Sequence, residues 1–129
     1  MTPLLSVNEL FVSFPVRGGV FSTVKKQVQA VRGVSFFIHP GETLALVGES
    51  GCGKTTVARA ALRLAEASAG EVIFAGTDLA SLSRSELRAQ RRAMQLVFQD
   101  PDSALNPRLP VRRLIGDGLL AHGLATKGN

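Results

Sequence analysis

Eight consecutive residues constrain this chain more than anything else in it: Gly48-Glu49-Ser50-Gly51-Cys52-Gly53-Lys54-Thr55. They fit a glycine, four residues of any type, then Gly-Lys-Ser/Thr, the pattern of a phosphate-binding loop. Successive backbone amides must turn inward to make an anion-binding concavity. Gly48, Gly51 and Gly53 allow the dihedrals and close approach that such a turn requires. A helix starting near Lys54 would aim its unpaired amides at the same point. Lys54 adds a mobile positive charge for the outer phosphates, and Thr55 a hydroxyl for Mg²⁺, an ion that binds through few protein ligands plus phosphate oxygens. Average composition produces the pattern by chance at roughly a few in 10⁵ positions. Its context also fits, with an apolar run Thr43–Val47 before it and helix-forming residues Thr55–Leu64 after it. The competing interpretation is a glycine turn that caps an ordinary helix. Cys52 has no second cysteine or nearby histidine, so it reads as a tolerated small residue of the loop and not as a nucleophile or metal ligand.

A chain of 129 residues fits one domain or part of one, and its 45% apolar and 19% charged residues are a globular balance. No apolar run approaches the roughly 18 residues that cross a bilayer. Met1-Thr2-Pro3-Leu4-Leu5 has no basic region ahead of an apolar stretch, so the expectation is no signal peptide and a cytoplasmic location. The net charge is +5, but the basic pairs Lys25-Lys26, Arg91-Arg92 and Arg112-Arg113 have no aromatic neighbours that would make a stacking platform. They read as solvated surface, and no nucleic-acid partner is expected.

Apolar patterning predicts one or two strands over Leu4–Phe14 and a hairpin or loop from Arg17-Gly18-Gly19 to Gln29. Val34–Ile38 reads as a strand stopped by His39-Pro40-Gly41. Thr43–Val47 reads as a strand buried on both faces of a parallel sheet, and Glu71–Phe74 as a strand that ends at Gly76-Thr77. Ser83-Arg84-Ser85-Glu86 matches a capping box opening a helix to about Arg92. Met94–Phe98 is a further apolar strand, Asp100-Pro101 and Asn106-Pro107 force a loop, and Val111–Ala121 has helical character.

Met94-Gln95-Leu96-Val97-Phe98-Gln99-Asp100-Pro101 resembles the Q-loop region of ATP-binding cassette (ABC) proteins. Leu105-Asn106-Pro107-Arg108, the run Gly41 to Lys54, Glu86-Leu87-Arg88, Phe14-Pro15-Val16 and Leu119 to Leu124 are similar, more narrowly, to the oligopeptide and dipeptide importer ATPases. The resemblance covers about Leu4 to Leu124 in unbroken order. It implies an α/β fold: a parallel P-loop NTPase core beside an N-terminal antiparallel β subdomain. The subdomain takes about residues 4–38, the P-loop strand and helix 43–64, a strand and helix 71–92, the Q-loop region 94–110 and the start of a helical region 111–124. On this basis the chain is a partial domain, truncated before its helical subdomain is complete.

The resemblance implies ATP and Mg²⁺ as ligands, held by Gly48, Glu49, Ser50, Gly51, Cys52, Gly53, Lys54, Thr55 and Thr56. Phe14 matches the aromatic that stacks on adenine; the competing reading is a core aromatic. Gln99 matches the glutamine that reaches Mg²⁺ and the attacking water; without the resemblance it reads as a surface residue. Lys54 and Gln99 are thus the catalytic candidates, and Thr55 and Gln99 the metal candidates. The implied partners are transmembrane permease subunits that meet the loop Asp100–Pro110, a second ATP-binding subunit and, indirectly, a solute-binding protein. The implied location is the cytoplasmic face of the membrane. Thr56 and Asp102 depart from the subgroup's commoner residues, and Asp102 bears only on the permease contact.

The chain has no Leu-Ser-Gly-Gly-Gln signature and no apolar strand ending in Asp-Glu, and neither His39 nor His122 falls in the order of a switch histidine. Phosphoryl transfer depends on several groups acting together, so this chain alone is expected to bind ATP with negligible hydrolysis. Without the strands that would lie between them, Thr43–Val47 and Met94–Phe98 are expected to present unpaired amides and apolar faces. The alternatives are a non-catalytic nucleotide-binding or permease-docking fragment, a fragment that does not fold, and a phosphate-loop enzyme of another class such as a small-molecule kinase.

Overall fold

The computed structural model describes residues 2–16, 26–100 and 104–126. The expected break at Arg17-Gly18-Gly19, Lys25, Pro101 and Asp102 therefore lie outside the described residues. The chain forms two compact units, Met1–Ser83 and Arg84–Asn129.

The first unit is a four-stranded antiparallel sheet in the order β2-β1-β3-β4, where β1 is Leu5–Val16, β2 Lys26–Ile38, β3 Ala69–Phe74 and β4 Thr77–Asp78. β1 is one continuous strand, and β2 starts well before the expected Val34. Ladder pairing explains that extension: Phe14 pairs with Val28 and Ser13 with Gln29, so β1 templates a stretch whose composition reads as a loop. Val7, Leu10 and Val12 of β1 are fully buried. Val7 and Leu10 are three apart, which strict alternation would put on opposite faces. An extra residue, Glu9, resolves this: its φ of 45° makes a bulge that resets the parity in both ladders. The Ser35 hydroxyl secures the bulge, accepting from the Glu9 amide at 2.8 Å and donating to its carboxylate at 3.2 Å.

Gly70 fits beneath the bulge with φ +95°, where an added Cβ would run into the Glu9 and Asn8 carbonyl oxygens. β3 and β4 are joined by Ala75-Gly76, both at positive φ (49° and 78°), the geometry that matches the twist of a two-residue hairpin.

Helix α1, Lys54–Ala61, packs Val57, Ala60 and Ala61 against the sheet at i, i+3 and i+4 spacing. It ends in a Schellman turn. Arg63 (φ 53°) donates to Ala60 O at 2.9 Å and Leu64 to Arg59 O at 2.8 Å. Val31, Val72 and Leu79 complete this core. Each fully buried aliphatic side chain here contributes about 1.5–3 kcal/mol.

The second unit holds helix α2, Arg84–Gln90, a 3₁₀ turn Arg91–Ala93 and helix α3, Val111–Ala121. Ser83 falls immediately before α2, where the capping-box spacing puts it. Arg88 Nη2 donates to Ala121 O at 2.8 Å, which ties α2 to the end of α3. α3 stops at Gly123 (φ 65°) with the same Schellman pair of bonds as α1. No helix among the described residues is long and apolar enough to cross a membrane.

Two expectations are corrected. Thr43–Val47 and Met94–Phe98 are not strands, and among the described residues no parallel pairing is formed. A central parallel strand requires a ladder partner on each side, and neither segment has one among the described residues. Their apolar side chains are exposed as a result, Val47 at 92% and Val97 at 90%. The amides of Thr43–Val47 make no backbone hydrogen bond among the described residues. They are expected to exchange with solvent deuterium at least about 100-fold faster than the buried ladder amides at Val7 and Val12. Equal protection would mean that this segment has a strand partner.

Candidate functional site

The loop Gly48–Thr55 leads into α1 as its motif requires. Gly51 and Gly53 are left-handed, with φ +81° and +98°. At Gly53 an added Cβ would stand 2.5 Å from the Ala30 carbonyl oxygen, so the loop can approach β2 this closely only with glycine there. At Gly48 it would meet Cys52 Sγ at 2.7 Å, so the cysteine side chain closes the loop's inner side. Val57 is the first residue to make the helical bond, donating to Gly53 O at 2.9 Å. The amides of Lys54, Thr55 and Thr56 come before it and are the open donors of the helix start. No acidic residue occupies the first turn of α1, so the positive end of the helix dipole is not neutralised from within.

The Lys54 side chain folds back over the loop. Its ammonium donates to Gly48 O at 2.7 Å and Glu49 O at 2.6 Å, and lies 3.5 Å from Cys52 Sγ. All three N–H donors are therefore directed onto loop atoms. Thr55 is exposed and Thr56 half-buried, so both hydroxyls border the loop without being core groups.

A cleft of about 470 Å³ lies beside the loop. Val28, Gln29, Ala30, Val31, Arg32 and Val34 of β2 form one wall, and Gly51, Cys52 and Val57 the other. Phe14 does not line it, but its cross-strand partner Val28 does, and directly opposed residues share a sheet face. Phe14 is 45% exposed and so is not the core aromatic that its sequence alone also allowed. Gln99 is exposed and belongs to the second unit. His39 follows β2 in a turn, its amide donating to Glu42 Oε2 at 2.7 Å and its ring edge-on to Phe37 at 5.2 Å. Among the described residues no three His, Cys, Asp or Glu side chains group as a metal site.

Val28 and Arg32 also line the cleft; the first fell in an expected loop, and the sequence pattern did not single out the second. The sequence showed only a glycine at position 33; its φ of +65° and the bulge in β2 are seen in the structure.

A left-handed glycine loop, a helix start rich in open amides and a lysine folded over both define a phosphate-loop nucleotide-binding domain. More narrowly, the chain belongs to the ABC transporter family, whose pattern matches residues 31–126. It is 49% identical over 122 residues to the glutathione import ATP-binding protein GsiA of Salmonella paratyphi A, a match covering 95% of this chain and 20% of that protein. It is 52% identical over 112 residues to the probable peptide ABC transporter ATP-binding protein y4tS of Sinorhizobium fredii, covering 87% of this chain and 32% of the relative. The chain thus spans about a fifth to a third of the length of these curated relatives. Among solved structures, a dimeric ATP-binding cassette in a post-hydrolysis state with ADP and Pi superposes with a TM-score of 0.73 at 21% identity, over 95% of this chain and 49% of that one. The cbiO1 protein of Clostridium perfringens, part of the ABC transporter complex cbiONQ, superposes with a TM-score of 0.60 at 25% identity, over 93% of this chain and 50% of that one. These neighbours bear out the ABC ATPase fold, of which this chain forms the antiparallel sheet and the loop-helix unit.

Proposed function

We propose that this chain holds the phosphates of Mg-ATP on Gly48–Thr56, as part of the ATP-binding, energy-coupling subunit of an ABC importer. The observation that carries this is the Lys54 ammonium folded onto the loop carbonyls Gly48 O and Glu49 O, where left-handed Gly51 and Gly53 lead into the uncapped start of α1. In this reading the amides and Lys54 bind the phosphate oxygens, Thr55 supplies a hydroxyl to Mg²⁺, and Thr56 supports a phosphate oxygen. Phe14 stacks on the base, with Val28 beside it. Glu49, Ser50 and Cys52 act through their backbone. Gln99 reaches the metal and the attacking water once the two units and a partner are assembled. The cargo class follows the names of the relatives, peptides including glutathione. Permease subunits, a second ATP-binding subunit and attachment at the cytoplasmic membrane face belong to the same proposal. The direct test is calorimetric titration of the chain with Mg-ATP, and no saturable binding would refute the reading.

A second reading is favoured by a specific observation: the chain contains neither the signature sequence nor an Asp-Glu strand. By itself it then binds nucleotide without turning it over. Steady phosphate release from Mg-ATP is expected to stay at the level of buffer alone. Release that vanishes in Lys54→Ala would show that the groups present suffice for hydrolysis.

A further inference from the structure

Five consecutive residues of β2, Val28 to Arg32, line the cleft beside the phosphate loop. β2 is the edge strand of the sheet, and its main chain faces the loop at Ala30, whose carbonyl oxygen stands 2.5 Å from a Cβ added at Gly53. The β1–β2 ladder is irregular at two places along this stretch. Leu10 pairs with Val34 and Val12 with Val31, so β2 has an extra residue between them; Val12–Val31 and Ser13–Gln29 enclose another. The first of these bulges includes Gly33 at φ +65°, where an added Cβ would press on Phe11 Cζ at 3.0 Å. Bulges re-aim side chains, and they concentrate next to binding sites. Arg32 is the residue next to Gly33 in this bulge. It lines the cleft together with Gly51 and Cys52, and it is the only Lys or Arg there. Among the described residues Arg32 has no ion pair or hydrogen bond, and the rest of the wall is mainly valine and alanine. An unpaired guanidinium on an apolar wall, next to a loop that collects anion-binding amides, is suited to a phosphate.

We propose that Arg32 is a further ligand of the nucleotide's phosphate chain, adding a second positive charge to that of Lys54. This rests on the Mg-ATP reading above. Arg32 lines the cleft beside Gly51 and Cys52, and binding forms charge-assisted N–H···O bonds to phosphate oxygens without displacing any partner of Arg32 among the described residues. Lys54, in contrast, must release two loop carbonyls.

The test is isothermal titration of the full chain with Mg-ATP at low and high salt, using Arg32→Gln and Arg32→Lys, with Lys54→Ala as reference. Arg32→Gln is expected to weaken binding about tenfold and to flatten its salt dependence, because one screened charge contact is lost. Arg32→Lys should recover most of the affinity. Both variants should keep the wild-type thermal midpoint, since Arg32 is exposed. The proposal fails if Arg32→Gln binds within twofold of wild type with an unchanged salt slope while Lys54→Ala loses binding; the Mg-ATP reading would then survive alone. It also fails if the loss is not recovered by lysine, which would mark a structural role. Absence of Mg-ATP binding by the wild-type chain overturns both.

Discussion

Lys54→Ala should weaken Mg-ATP binding by roughly 100-fold. Hydrogen bonds made by a charged donor contribute about 1.5–3 kcal/mol each. Lys54 now gives two, to Gly48 O and Glu49 O. Moving them from neutral carbonyls to charged phosphate oxygens strengthens both, and losing the ammonium forfeits that gain together with its monopole. A net loss of about 3 kcal/mol corresponds to about two decades of affinity. The sheet should be unaffected, because Val57, Ala60 and Ala61 anchor α1 independently of Lys54. Titration calorimetry and a thermal melt on the same samples separate the two effects. Affinity within threefold of wild type would mean that the loop does not use this lysine for phosphate.

The second large effect concerns stability. Gly70→Ala should destabilise the first unit by about 3 kcal/mol or more. An L-residue in left-handed geometry costs about 1–2 kcal/mol. In addition, an added Cβ would lie 2.8 Å from Asn8 O and closer still to Glu9 O, and both belong to the backbone of the central strand. Neither can yield without opening the β1–β3 ladder. With about 4–8 °C per kcal/mol for a unit of this size, the midpoint should fall by on the order of 12–24 °C. Gly76→Ala is the control: φ there is +78°, but nothing lies within 4 Å of the added Cβ. It should cost only about 1 kcal/mol. Equal midpoints for the two variants would show that the Glu9 bulge does not hold the sheet as described.

The phosphate loop was legible because its function is carried by local backbone geometry. Three glycines at fixed spacing, a lysine and a helix start need no distant partner to be recognised. The α2 start after Ser83 and the α3 range Val111–Ala121 were likewise within reach of local rules, whereas the Schellman end at Gly123 was not read from the sequence. The β2 range was not, since Lys26 to Gly33 becomes a strand only through its pairing with β1. Nor was the fate of Thr43–Val47, whose apolar run reads as a buried strand wherever it is met. Strand formation there depends on hydrogen-bonding neighbours, and a residue pattern does not state whether they are present.

By itself, then, the sequence determined the anion-binding loop, its lysine, the Mg²⁺-directed threonine and the helices that local capping defines. Only the tertiary structure decided that Glu9 bulges to bring Val7 and Leu10 to one face, and that Val28 and Arg32 line one cleft with Gly51 and Cys52. The physical reason is one of range. Loop and cap geometry is fixed by dihedrals within a few residues, whereas sheet register and the aim of a bulged side chain are fixed by hydrogen bonds between residues far apart in the chain.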